Sequence, residues 1–149
     1  MALAESTRIL PGELEGIAAA YEGASAGIGR RVVVCGGTGC IANGSLKVFG
    51  ALKAALGAAG RKVVVDLDIH DCSGADAHLS TSGCQGFCQV GPLVTIEPDG
   101  ILYTHVKEAD VPEIVERTFG RGELVEQLLY RDPVSGEVKR GKQDRKSVV

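Results

Sequence analysis

The sequence predicts an α/β domain with a four-stranded mixed sheet, ordered β-α-β, then a β-hairpin, then a helix. Short β-branched runs alternate with segments of helical periodicity. Glycine clusters punctuate the junctions between them. A Pro98-Asp99-Gly100 triplet between two apolar runs marks a hairpin.

Taken in order, residues 3–26 read as an N-terminal helix. Pro11 suits a helix start, and Leu14, Ile17, Ala18 and Tyr21 share a face. Gly23, Gly27 and Gly29 are expected to end it. RRVVVC, residues 30–35, is a strand, followed by the glycine loop GGTGCIANG. Residues 45–60 form an amphipathic helix with Leu46, Phe49, Leu52 and Leu56 on its apolar face. Ser45 or Asn43 is its candidate N-cap, and Gly57 and Gly60 close it. KVVVDL, residues 62–67, is continuously apolar until its acid and is therefore expected at the centre of the sheet.

Residues 68–82 show no period and read as a loop. LVTIE and ILYTHV flank the hairpin turn as the third and fourth strands. A closing helix over 107–122 gathers Val111, Ile114, Val115 and Phe119 on one face. This succession is the thioredoxin-like plan.

From Arg131 onward the composition changes to six Lys or Arg against three Asp or Glu, with Pro and Gly. That stretch reads as a polar tail or linker. The remaining bulk properties narrow the function. The 149 residues suffice for one domain with a real core. With aromatics at 4% and no Trp, that core must be built from Val, Leu, Ile and Ala. A net charge of −3 argues against nucleic acid as the main partner. No run is long and apolar enough to predict a membrane span. The opening residues lack the apolar core of a secretory signal, so a cytoplasmic setting with reduced thiols is expected.

Five cysteines are an odd number, unsuited to a complete disulfide framework. Four of them form two close pairs, Cys35/Cys40 with four intervening residues and Cys84/Cys88 with three. Each pair lies in a Gly-rich loop beside a strand, so all four thiolates can converge at one end of the sheet. Glycines there allow backbone N–H groups to turn toward sulfur, which stabilises an anionic metal–thiolate centre. The N-terminus of the 45–60 helix would add positive potential. A dithiol oxidoreductase would want two residues between its cysteines, and neither pair has that spacing. Both Zn(Cys)4 and an iron–sulfur cluster are compatible with four thiolates.

VCGGTGCIANGS, together with GCQGFCQVGPLVTIEPDGILYTHVKEADVPEIVE, resembles the thioredoxin-like [2Fe-2S] ferredoxins. It resembles more closely the N-terminal ferredoxin domain of the flavin- and NADH-binding subunit of electron-bifurcating hydrogenases and complex-I-like dehydrogenases. CQGFC, QVGPLV and LVEQLLY carry that finer likeness, which covers about Val32 to Tyr130. The resemblance implies a [2Fe-2S] cluster held by Cys35, Cys40, Cys84 and Cys88. It divides the chain into a helical extension (1–30), a ferredoxin domain (31–130) and a tail (131–149). It implies one-electron transfer within or alongside an NADH-oxidising flavoprotein complex, with flavin and iron–sulfur subunits as partners and a homodimer as a further option. Such a module has no active site of its own; any enzyme activity would belong to an NADH dehydrogenase or bifurcating hydrogenase around it. A structural Zn(Cys)4 module without redox role is the alternative.

Other chemistry-bearing residues read as secondary. Cys72 with His70 and His78 forms a conceivable second ligand set, but a polar loop with a spare thiol explains them as well. Asp66, Asp68, Asp71 and Asp76 read as solvated acids, and His105 as a structural or exposed strand residue. GTGCIANGS lacks the Lys of a phosphate-binding loop. Ile41, Phe87, Val90 and Pro92 are expected to form an apolar rim for a partner.

Overall fold

A computed structural model describes residues 9–65 and 74–141. The central sheet has five strands in the order β2-β3-β1-β4-β5. They are β1 (Arg30–Cys35), β2 (Val63–Val64), β3 (Ala77–Ser82), β4 (Val94–Glu97) and β5 (Ile101–Tyr103). β1 runs parallel to β3 and antiparallel to β4, and β4 and β5 form the expected hairpin, with Gly100 at φ +65°. The thioredoxin-like plan therefore holds, with one strand more than the four expected.

The extra strand is β3, inside the stretch read as a loop. AHLSTS offers only one large apolar residue, Leu79, so periodicity does not reveal it. Pairing on both edges, with β1 and β2, supplies the support that its side chains do not advertise. Among the described residues, the apolar KVVVDL run contributes the edge strand β2, not a central one.

Helix α1 spans Pro11–Ala26, α2 Thr38–Ala42 and α3 Ser45–Ala58. α4 begins at Val111–Glu113 and continues as a π-helix over Ile114–Arg121. α3 buries Val48, Leu52 and Leu56, while Leu46 points outward at 55% exposure. Its N-cap is Gly44 at φ +96°, with no side-chain cap from Ser45 or Asn43. Val32, Val34, Leu79, Ile96 and Tyr103 of the sheet pack with these α3 residues and with Val111, Ile114, Val115 and Phe119 of α4. The closing-helix face thus matches the sequence pattern.

α1 differs from its expectation. The Glu13 carboxylate accepts the Leu10 N–H across the first turn at 2.7 Å, and Gly23 lies inside the helix rather than ending it. None of its residues is buried; Leu14, Ile17 and Tyr21 remain 40–55% exposed. The described part of the polar tail is not open chain. β6 (Tyr130–Arg131) and β7 (Val138–Lys139) pair antiparallel. Buried Asp132 accepts the N–H groups of Val134 and Ser135 across the turn. The Leu102 N–H donates to the Arg140 carbonyl at 2.8 Å, which ties this hairpin to β5.

Candidate metal centre

Two backbone segments meet at one end of the sheet. β1 ends at Cys35, and α2 then carries Cys40 inward; both thiols are 1% exposed. β3 ends at Ser82, and the next loop holds Cys84 and Cys88, both exposed. The Gly36 N–H donates to the Ser82 carbonyl at 2.9 Å, and the Cys35 N–H to the Leu93 carbonyl at 3.0 Å. β1 therefore presents its cysteine between the two ends of the second loop.

The loops interlock because glycines lack a side chain. A Cβ on Gly37 would lie 3.0 Å from the Cys84 backbone, and one on Gly91 would collide with the Cys40 sulfur. Close approach, more than unusual dihedral angles, explains these two positions. Gly86, between Cys84 and Cys88, takes positive φ, at +84°. Its N–H then donates to the Cys84 sulfur at 3.4 Å, the kind of N–H···S contact that stabilises thiolate.

The four thiols come as two pairs. Cys84 and Cys88 sulfurs are 3.5 Å apart, and Cys35 is near enough to Cys40 to raise its pKa, while the Cys35 thiol also donates to the Gly83 carbonyl at 3.7 Å. The pairs also sense one another, since Cys88 interacts electrostatically with both Cys35 and Cys40. Among the described residues, no three His, Cys, Asp or Glu side chains close around a single ion position. Burial first, then the hydrogen bond and charge of Cys35, push the Cys40 thiol up to about 11. The hydrogen bond with Cys84 raises Cys88. Without metal the site therefore favours neutral thiols; metal must displace their protons. Leu93 and Leu102, fully buried, form an apolar floor under Cys35 and Cys40.

The expected apolar rim holds in part. Ile41 is 43% exposed, but Phe87 and Val90 are half-buried against that floor, and Pro92 is buried. His78 lies on β3 opposite Arg31, four residues from the cysteine end of the strand, roughly 13 Å along it. Burial and then Arg31 lower its pKa, and its Nδ1 has no hydrogen-bond partner among the described residues. It does not join the thiol centre. Asp76 caps the Lys62 N–H at 2.8 Å. His70, Cys72, Asp66, Asp68 and Asp71 lie outside the described residues.

Sequence reading missed the other wall of the site. His105 follows β5 at φ +52°, rare for a non-glycine residue, and lines a cleft with Cys88, Tyr130 and Arg131. Recognising the β6–β7 hairpin was the only route to that wall, and its polar sequence hid it.

A thioredoxin-like α/β sheet with two interlocked thiol pairs at one end defines a metal–thiolate domain. The model of the thioredoxin-like [2Fe-2S] ferredoxin family matches residues 1–118, and the chain belongs to that family. A curated 2Fe-2S ferredoxin of Aquifex aeolicus is 45% identical over 51 residues, covering 34% of this chain and 46% of that protein. One from Clostridium pasteurianum is 40% identical over 63 residues, covering 42% and 61%. The chain thus spans only about half of the length of the curated relatives it matches. The solved thioredoxin-like [2Fe-2S] ferredoxin of Aquifex aeolicus superposes with a TM-score of 0.51 at 32% identity, covering 66% of this chain and 87% of that one. The family's cofactor is a [2Fe-2S] cluster, and the paired thiols, the N–H···S contact and the glycine cradle fit it.

Proposed function

We propose that Cys35, Cys40, Cys84 and Cys88 hold the [2Fe-2S] cluster and that the chain carries single electrons within or alongside an NADH-oxidising flavoprotein complex. The observation that carries the ligand assignment is the pairing: two thiols on each interlocked loop provide two ligands for each of two irons. When bound, the cluster supplies a one-electron couple shared between its irons. The protein's part is to hold the sulfurs, aim the Gly86 N–H at Cys84 and keep Leu93 and Leu102 between the buried pair and water. The exposed pair, Cys84 and Cys88, marks the side where an electron enters or leaves.

The likeness of CQGFC, QVGPLV and LVEQLLY to the fused domain of the flavin subunit supports the NADH-linked setting. Flavin and iron–sulfur subunits are then the partners, and a cytoplasmic location accords with reduced thiols. Purified protein should be red-brown, with two irons and two acid-labile sulfides per chain. Ser in place of any one of the four cysteines should lose or alter the visible spectrum; Cys72→Ser should not. A colourless protein holding one zinc would refute the cluster. A coloured protein that no NADH-reduced flavoprotein reduces would refute the flavoprotein setting alone.

A further inference from the structure

Two open grooves flank the thiol centre. The first, about 540 Å3, lies between the Phe87–Val90 stretch and a wall of His105, Tyr130 and Arg131. The second, about 590 Å3, lies between the α2–α3 junction and Lys107–Glu108. The short stretch from His105 to Lys107 joins them.

Charge around these grooves runs against the charge of the whole chain. The net charge is −3, yet no Asp or Glu occurs between Val32 and Val65 or between Ala77 and Ile96. Both cysteine loops are therefore free of carboxylates. Lys47 and Lys107 line the second groove, and Arg131 lines the first beside His105. Opposing them are Glu108 in the second groove and Glu126, which lines a smaller cavity behind His105 and Arg131. Arg131 donates one N–H to the Gly136 carbonyl at 3.2 Å and forms no ion pair among the described residues. Arg30, Arg117 and Arg121, in contrast, are each paired with acids. Apolar surface lies near the second groove, with Ile41 43% and Leu46 55% exposed. The Tyr130–Arg131 wall also lies beyond residue 118, where the family match stops.

We propose that this face docks an electron-transfer protein by an acidic rim around an apolar contact, with carboxylates received by Arg131 in one groove and Lys47 in the other. The proposal deepens the electron-carrier reading and rests on it for the identity of the partner. A thiolate-bound cluster is itself anionic, so partner carboxylates are drawn to the cationic rim and not over the sulfurs. Cations at a rim act mainly on encounter rate and on its salt dependence.

Small probes of opposite sign test this on the full chain. Oxidation of the reduced protein by hexacyanoferrate(III) at low ionic strength should slow several-fold in Arg131→Gln and more in the double variant with Lys47→Gln. Oxidation by hexaamminecobalt(III) should not slow. Arg131→Lys should restore most of the rate. Lys53→Gln, the same charge change on the exposed side of α3, should leave it unaltered. The redox-inert hexacyanocobaltate(III) should shift the amide resonances of Lys47 and Arg131, and Arg131→Gln should abolish the shift at Arg131. Equal slowing in Lys53→Gln, unaltered rates in the double variant, or no hexacyanocobaltate(III) shift at either residue would overturn the docking face. So would a homodimer that covers Lys47 and Arg131. Absence of iron would refute the cluster reading alone, because the hexacyanocobaltate(III) titration needs no cluster and still decides the face.

Discussion

Gly91 matters for the atom it lacks. A methyl there would meet the Cys40 sulfur, whereas a methyl on Gly83 meets nothing within 4 Å. Gly91→Ala should therefore cost about 1–3 kcal/mol by overpacking and sharply reduce cluster occupancy. Gly83→Ala, one residue from Cys84, should retain both; iron content and denaturant midpoints separate the two. Protonation is the second residue-scale effect. Cys40 is raised from an ordinary 9.0 to about 11 in the fold without metal. A raised thiol pKa stabilises the fold while the proton stays on, so its contribution is complete below pH 9. That contribution should fade as pH rises from 9 to about 11. Thermal melts of the metal-free protein should show the fall, and the loaded protein, whose thiols are already deprotonated, should lack it.

At the scale of elements, α4 is fastened by a buried relay. The Val125 N–H donates to the Tyr103 hydroxyl at 3.1 Å, which pairs with Thr118 Oγ1 at 2.6 Å; Thr118 in turn donates to the Glu123 carbonyl. Tyr103→Phe leaves the Val125 N–H unsatisfied and should cost about 1–3 kcal/mol by chemical denaturation. α1 is the opposite case. It buries no residue, and among the described residues Tyr21 ties it to the sheet by stacking on Arg31. Removing residues 1–26 should cost about 1 kcal/mol or less and leave the visible spectrum unchanged. The elements also show where sequence reading stops. α4 was legible because Val111, Ile114, Val115 and Phe119 recur at helical spacing. β3 was not, because a strand paired on both edges can be polar and still be secured by its ladders. The β6–β7 hairpin was hidden for a related reason: an Asp132 turn and backbone bonds to β5 hold it without an apolar signature.

At the scale of the whole molecule, the proposed metal centre would join parts that are far apart along the chain. Cys35 and Cys88 come from opposite sides of α3, β2 and β3. A cluster across the two loops should therefore stabilise the fold in proportion to its affinity, because unfolding must release it. Removing iron with a chelator under reducing conditions should lower the melting temperature and speed proteolysis within residues 83–92. Unchanged cleavage there would count against a cluster bridging the loops.

The spacing of the cysteine pairs, the glycines beside them and the alternation of strand and helix were enough to indicate the ferredoxin family and its four candidate ligands. Local sequence carries such information because thiol chemistry and backbone freedom are properties of single residues and short loops. The tertiary structure decided that Gly37 and Gly91 serve close approach, that Pro92 is buried, and that Arg131 and Lys47 rim the centre from distant parts of the chain. Those relations depend on which segments the sheet brings into register, and ladder hydrogen bonds set that register without requiring a distinctive side chain.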